Sequence, residues 1–234
     1  MGNKVKKIGL VGGTGPESTL MYYKELNSRI DDASENSEMP EIAIESVNFR
    51  KVWGMVERSE YNDLSDHLTD LINNLKASGA EVISLTAVTM HIVFDEIRKK
   101  TGCDLIGIPE AVSEYALSKG YKKVGLLGTV FTMEKDYMKK PFLDSGIGVY
   151  VPNEEEKALI GKRILEELEK GIVKESTLKE FQDIIGRMRK DHGIEAVILG
   201  CTELPLLLNR DNCPVDVLDS VEIHINKLIE EAVV

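Results

Sequence analysis

Two stretches of this chain repeat each other. Lys6-Lys-Ile-Gly-Leu-Val-Gly12 is echoed by Lys122-Lys-Val-Gly-Leu-Leu-Gly128, about half the chain further on. Gly79-Ala-Glu-Val-Ile-Ser-Leu-Thr-Ala87 is echoed by Gly193-Ile-Glu-Ala-Val-Ile-Leu-Gly-Cys201, in the same order and at nearly the same offset. Chance similarity between buried parallel strands is the alternative explanation. Two ordered echoes favour two similar halves. Equivalent strand ends should then face each other across a pseudo-two-fold axis. Ligands of open α/β sheets bind beyond the carboxyl ends of strands. The expected site therefore lies between the halves, lined by residues 12–19, 86–91, 128–132 and 200–203, with position 87 opposite Cys201.

Short apolar runs alternate with longer amphipathic stretches along the whole chain. Ile8–Gly12, Ile42–Val47, Val82–Leu85, Val124–Leu127, Ala196–Leu199 and Val215–Leu218 read as strands. Between them lie helical patterns, as at residues 61–78, where Leu64, Leu68, Leu71 and Leu75 fall three and four apart. Pro16 suits a first helical turn. Ser34–Glu38 reads as a polar loop. This alternation argues for parallel sheets covered on both faces. The expected architecture is α/β, with two pseudo-symmetric domains, each a parallel sheet flanked by helices, and an active site in the cleft between them. The expected boundaries are residues 1–104 plus 213–234 for the first domain and 105–212 for the second.

The 234 residues carry a net charge of -11 with no basic stripe, which argues against nucleic-acid binding. No apolar run reaches the roughly 18 residues that span a bilayer. The N-terminus reads as a first strand, not a signal peptide, and Lys6 breaks a myristoylation pattern after Gly2. Three cysteines at scattered spacings form neither a disulfide framework nor a CxxC metal site. A cytoplasmic protein without metal is the expectation.

Cys201 lies just past a strand, in Val197-Ile-Leu-Gly-Cys-Thr-Glu-Leu-Pro205. Helix-terminal N–H groups there would depress the thiol pKa and favour thiolate. Glu203 would orient a partner or cap the turn. A free cysteine is also a common small buried apolar residue, so local context leaves both readings open. Cys103 and Cys213 read as structural. Gly12-Gly-Thr-Gly-Pro-Glu-Ser-Thr19 lacks the endings of nucleotide loops; its N–H groups and hydroxyls suit a small carboxylate, and Gly128, Thr129 and Thr132 offer similar donors. His91, four residues past Ala87, is either a structural histidine or a functional one.

At these residues the chain resembles the aspartate/glutamate racemase superfamily. The resemblance runs through the glycine loop, Ser46-Val-Asn-Phe49, Thr89-Met-His91, Leu127-Gly-Thr-Val-Phe-Thr132, Leu199-Gly-Cys-Thr-Glu-Leu-Pro205 and Asp219-Ser-Val-Glu-Ile-His224, in order over nearly the whole chain. It implies a racemase of acidic amino acids, aspartate or glutamate, with no cofactor, acting as a homodimer. One thiolate takes the Cα proton and a thiol on the other face returns one. Cys201 matches one of these. The other family cysteine falls on Ala87, which cannot transfer a proton. Thr86 is the neighbouring hydroxyl, with His91 as its helper, but adjacent residues of an extended chain point to opposite faces. The resemblance also implies carboxylate donors at Thr14, Thr89, Thr129, Thr132 and Thr202, and side-chain carboxylate anchors at Arg50 and Lys170. Two other readings remain: a single-thiol enzyme such as a malonate-type decarboxylase, and a non-catalytic carboxylate-binding protein.

Overall fold

The computed structural model describes residues 5–33 and 39–233. The expected loop at Ser34–Glu38 and the residues before Val5 lie outside the described residues. The first half contains β1 (Ile8–Gly12), α1 (Pro16–Ala33), β2 (Ile42–Ser46), α2 (Phe49–Glu57), α3 (Tyr61–Ala77), β3 (Val82–Leu85), α4 (Phe94–Thr101) and β4 (Leu105–Ile106). The second contains α5 (Ile108–Ser118), β5 (Lys123–Leu127), α6 (Val130–Glu134), α7 (Lys140–Asp144), β6 (Gly148–Tyr150), α8 (Glu154–Glu166), α9 (Glu175–His192), β7 (Ala196–Leu199), β8 (Asp216–Asp219) and α10 (Ser220–Ala232).

Each half builds a four-stranded parallel sheet, with orders β2-β1-β3-β4 and β6-β5-β7-β8. The orders are the same, and so is the way the central strands end. The Thr86 N–H donates to the Val11 carbonyl at 3.0 Å, and the Gly200 N–H donates to the Leu127 carbonyl at 2.8 Å. These bonds pair the residues that the sequence echoes pair. The repeat is therefore structural, and Ala87 is the counterpart of Cys201.

The central strands are fully buried, so they read as continuous apolar runs. Helices cover them with one apolar stripe each. In α3 the buried stripe is Leu64, Leu68, Ile72 and Leu75; in α9 it is Phe181, Ile184, Ile185 and Met188. Burying each such side chain stabilises the fold by about 1.5–3 kcal/mol. Asn153 starts α8 with a capping box, its side chain accepting from the Glu156 N–H while Glu156 accepts from the Asn153 N–H.

The chain divides into two compact units: residues up to Ile108 together with those from His224 onward, and Pro109–Ile223. The return to the first unit thus comes later than the expected residue 213. The reason is β8, which pairs with β7 from Asp216 through Asp219 and so belongs to the second sheet. From Pro109 onward α5 is counted in the second unit, and from His224 onward α10 is counted in the first. Among the described residues no helix is long and apolar enough to cross a membrane.

Two buried histidines fasten the first unit around β4. His224 of α10 accepts from the Tyr22 hydroxyl at Nδ1 (2.6 Å), and its Nε2–H faces Ser84 Oγ (2.9 Å) and the Ile106 carbonyl (3.2 Å). His91 accepts the Ile108 N–H at Nε2 and donates from Nδ1 to the Ala87 carbonyl, both at 3.0 Å. Both rings are neutral. Burial lowers His91 from 6.5 to about 4, and burial together with the nearby His91 lowers His224 to about 3.

Both histidines have folded pKa values below 6.5, so their contribution is complete above pH 6.5 and is lost as pH falls toward 4 and 3. Unfolding free energy from urea titrations should therefore fall by about 3 kcal/mol between about pH 7.5 and 5.5; an unchanged midpoint would contradict the neutral assignment. Gly13→Ala should cost about 1–3 kcal/mol in the same assay. Its φ is +84°, and an added Cβ would lie 2.7 Å from both Ser46 Oγ and the Val47 carbonyl oxygen. A variant as stable as the parent would show that this loop is free to relax.

Candidate functional site

In the second unit the candidate residues gather at the carboxyl ends of β5 and β7. Thr129 caps α6, its hydroxyl accepting the Thr132 N–H at 3.2 Å. The Thr132 hydroxyl lies 3.1 Å from Thr129 Oγ1 and 3.0 Å from the Tyr137 hydroxyl. Thr132 also packs against the residue before the thiol: a Cβ on Gly200 would lie 3.2 Å from Thr132 Cγ2 and 3.0 Å from the Leu127 carbonyl oxygen. A side chain here would require Thr132 or the Leu127 carbonyl to give by a few tenths of an ångström, so glycine suits this close packing at the backbone entering Cys201.

Cys201 is half-buried. Its thiol donates to Glu203 Oε2 at 2.7 Å, and the Thr202 hydroxyl donates to Glu203 Oε1 at 2.7 Å. Burial, then the Glu203 charge and its bond to the thiol, push the Cys201 pKa well above its usual value; Glu169 adds to this. The surroundings of Cys201 therefore disfavour the thiolate that the sequence suggests. Beyond Cys201 the chain forms a turn and a 3-10 segment, Leu204–Leu206, not an α-helix. A bond to the Glu203 N–H favours thiolate, but the carboxylate two residues on outweighs it.

Lys170 ends the 3-10 segment Leu168–Lys170 and is exposed. Burial and the Glu203 charge raise the pKa of its neighbour Glu169, and Lys170 offsets part of that rise. Glu169, Glu203 and Cys201 are thus three acidic groups in one electrostatic environment. Glu203 stood in the sequence two residues past the thiol, but its bond to the sulfur came only with the turn. Nothing in the sequence marked Glu169 or Tyr137.

In the first unit Thr86 is fully buried. Its hydroxyl donates to the Val11 carbonyl at 3.3 Å and lies 3.5 Å from Thr19 Oγ1, while Ser18 donates to its carbonyl at 2.9 Å. It is the counterpart of Gly200 and ties the glycine loop to β3. His91 spends both ring nitrogens on backbone groups, so it has no free nitrogen to activate that hydroxyl. It lies within a 3-10 segment, Val88–Val93, with the α-helix beginning only at Phe94. Ala87, at the counterpart of Cys201, is 9% exposed. Thr14 and Thr89 are half-buried, in the glycine loop and the 3-10 segment, and Arg50 is exposed in the first turn of α2. Among the described residues no group of three or more histidine, cysteine, aspartate or glutamate side chains could hold a metal.

This arrangement places the chain among known proteins. A solved structure from Yersinia pestis, described as a candidate Asp/Glu racemase, is 31% identical, with a TM-score of 0.92 over 97% of this chain and 99% of that one. An aspartate racemase homologue from Pyrococcus horikoshii OT3 is 40% identical, with a TM-score of 0.87 and the same coverage. A glutamate racemase from Corynebacterium kroppenstedtii is 28% identical over 156 residues, 62% of this chain and 49% of that protein. The family described as Asp/Glu/Hydantoin racemase matches residues 11–228, and the chain belongs to that family.

Proposed function

We propose that this protein is a cofactor-independent, racemase-type enzyme that transfers a proton at Cα of aspartate or glutamate through Cys201. The observation that carries this reading is the Gly200-Cys201-Thr202-Glu203 turn at the end of β7, in a chain that belongs to the racemase family. Proton removal needs the ionised form of Cys201, which its surroundings disfavour; it breaks the Cα–H bond and forms S–H. The electron pair passes into the α-carboxylate as an enediolate, which needs hydrogen-bond donors to be stabilised. Thr129, Thr132 and Thr202, beside Cys201 in the second unit, are the donors proposed here. Arg50 and Lys170 are the cations proposed for the side-chain carboxylate.

Inversion needs one proton-transfer group per face. On this reading Ala87 takes the place of the second thiol; that the Thr86 hydroxyl bonds the Val11 carbonyl and both His91 ring nitrogens bond backbone supports leaving that face without a proton-transfer group. Exchange on one face without full inversion is the consequence. A second reading, single-thiol decarboxylation of a malonate-type acid, is favoured by this same alanine together with the protonated Cys201. There, C–C cleavage leaves the electron pair on Cα as CO2 departs, and the S–H proton quenches it, so no opposite base is needed.

The test is Cα hydrogen–deuterium exchange in D2O by NMR with each enantiomer of aspartate and glutamate. Exchange of one enantiomer, abolished by Cys201→Ser, is expected. Silence with all four would sink the acidic amino-acid reading; release of CO2 from a malonate-type acid, lost in Cys201→Ser, would establish the second. Ala87→Cys should raise racemisation by about 10²–10⁴-fold, followed by optical rotation. A variant that exchanges as the parent does, with no gain in inversion, would show that position 87 does not serve the opposite face.

A further inference from the structure

The Cys201–Glu203 pair bears on the direction of proton transfer. A thiol that is to act as a base would be expected beside a cation or a helix N-terminus. Here it meets a carboxylate at 2.7 Å. The carboxylate is held in place from its other side, because the Thr202 hydroxyl fixes Oε1 and turns Oε2 toward the sulfur. A second carboxylate, Glu169, acts on the same thiol from the 3-10 segment before α9. The nearby cation Lys170 acts on Glu169.

We propose that Glu203 is a positioning residue that keeps Cys201 protonated through the direct S–H···O bond, so that the resting thiol is a proton donor and becomes a base only at high pH. Ionising Cys201 would break that bond and set two anions side by side. Transfer in the opposite sense is favoured: when loss of CO2 from a malonate-type acid leaves the electron pair of the broken C–C bond on Cα, the thiol gives it a proton, and the Glu203 charge beside the new thiolate draws a proton back from solvent. One proton leaves sulfur for carbon, one arrives from water, and Glu203 is unchanged. This rests on Cys201 being the proton-transfer group proposed above, but the state of the thiol can be read without any substrate.

The experiment is the pH dependence of iodoacetamide alkylation of the intact protein, with the Cys201→Ser background subtracted to remove Cys103 and Cys213. The parent should show little alkylation of Cys201 at neutral pH and an apparent thiol pKa above the usual range. Glu203→Gln should lower that pKa by about one to two units and speed alkylation at about pH 7.5 by about ten- to a hundredfold. Glu203→Asp, which keeps the charge, should stay near the parent, and Glu169→Gln should move in the same direction as Glu203→Gln but less. The pH profile of Cα exchange should shift down with the alkylation profile. An unchanged thiol pKa in Glu203→Gln would overturn the proposal. So would slower alkylation and exchange, which would make Glu203 the acceptor of the thiol proton. If no substrate exchanges in any variant, the amino-acid reading fails, and the alkylation profiles alone decide whether Glu203 holds the proton on sulfur.

Discussion

Two backbone hydrogen bonds set where the central strands of the two sheets end. Thr86 N–H to the Val11 carbonyl and Gly200 N–H to the Leu127 carbonyl extend the central strand pairs by one step past the last paired residues. The polypeptide leaves the sheet immediately afterwards, at Ala87 in one unit and Cys201 in the other. Because both strands are buried and parallel, their backbone groups have no alternative partners, and the exit points are fixed. The two exits are then dressed differently. The first unit fills the space behind its exit with the Thr86 side chain and binds it to Thr19 and Ser18. The second leaves it empty with Gly200, and Thr132 moves in.

The difference extends to electrostatics. Past Ala87 the chain turns through a 3-10 segment anchored by His91, whose two nitrogens bridge the Ala87 carbonyl and the Ile108 N–H. That is an apolar, neutral ending, held by a ring that resists protonation. Past Cys201 the chain turns around the Glu203 carboxylate, which gathers the thiol and the Thr202 hydroxyl. One duplicated scaffold thus carries an inert exit and an acidic one. At the second exit the thiol and a carboxylate are in direct contact.

Helix α10 carries further buried polar groups close to the ends of β7 and β3. Ser220, opening α10, donates to the Leu199 carbonyl at 2.6 Å in the second unit, and four residues on His224 is already bonded inside the first. Tyr22, Ser84 and the Ile106 carbonyl enclose its ring. A polar side chain in such a place is tolerated because its hydrogen-bonding atoms are matched. Fixing α10 this way also fixes the end of β4, which is only two residues long.

The amino-acid order by itself determined the α/β class, the duplication, the counterpart relation between Ala87 and Cys201, and most strands and long helices. These arise from apolar periodicity and from glycines at strand ends, which are local properties. The short elements α2, α6, α7 and β6 were not legible, because such brief segments hold too little periodic signal to stand out from loops. Tertiary structure alone decided that β8 joins the second sheet, that Thr86 faces inward, that both His91 nitrogens are taken, and that the Cys201 thiol meets the Glu203 carboxylate. The physical reason is shared: hydrogen-bond partners and local dielectric are set by residues distant in sequence, such as Val11 for Thr86, Ile108 for His91 and Glu169 for Cys201, or by a turn such as the one that brings Glu203 back onto the sulfur.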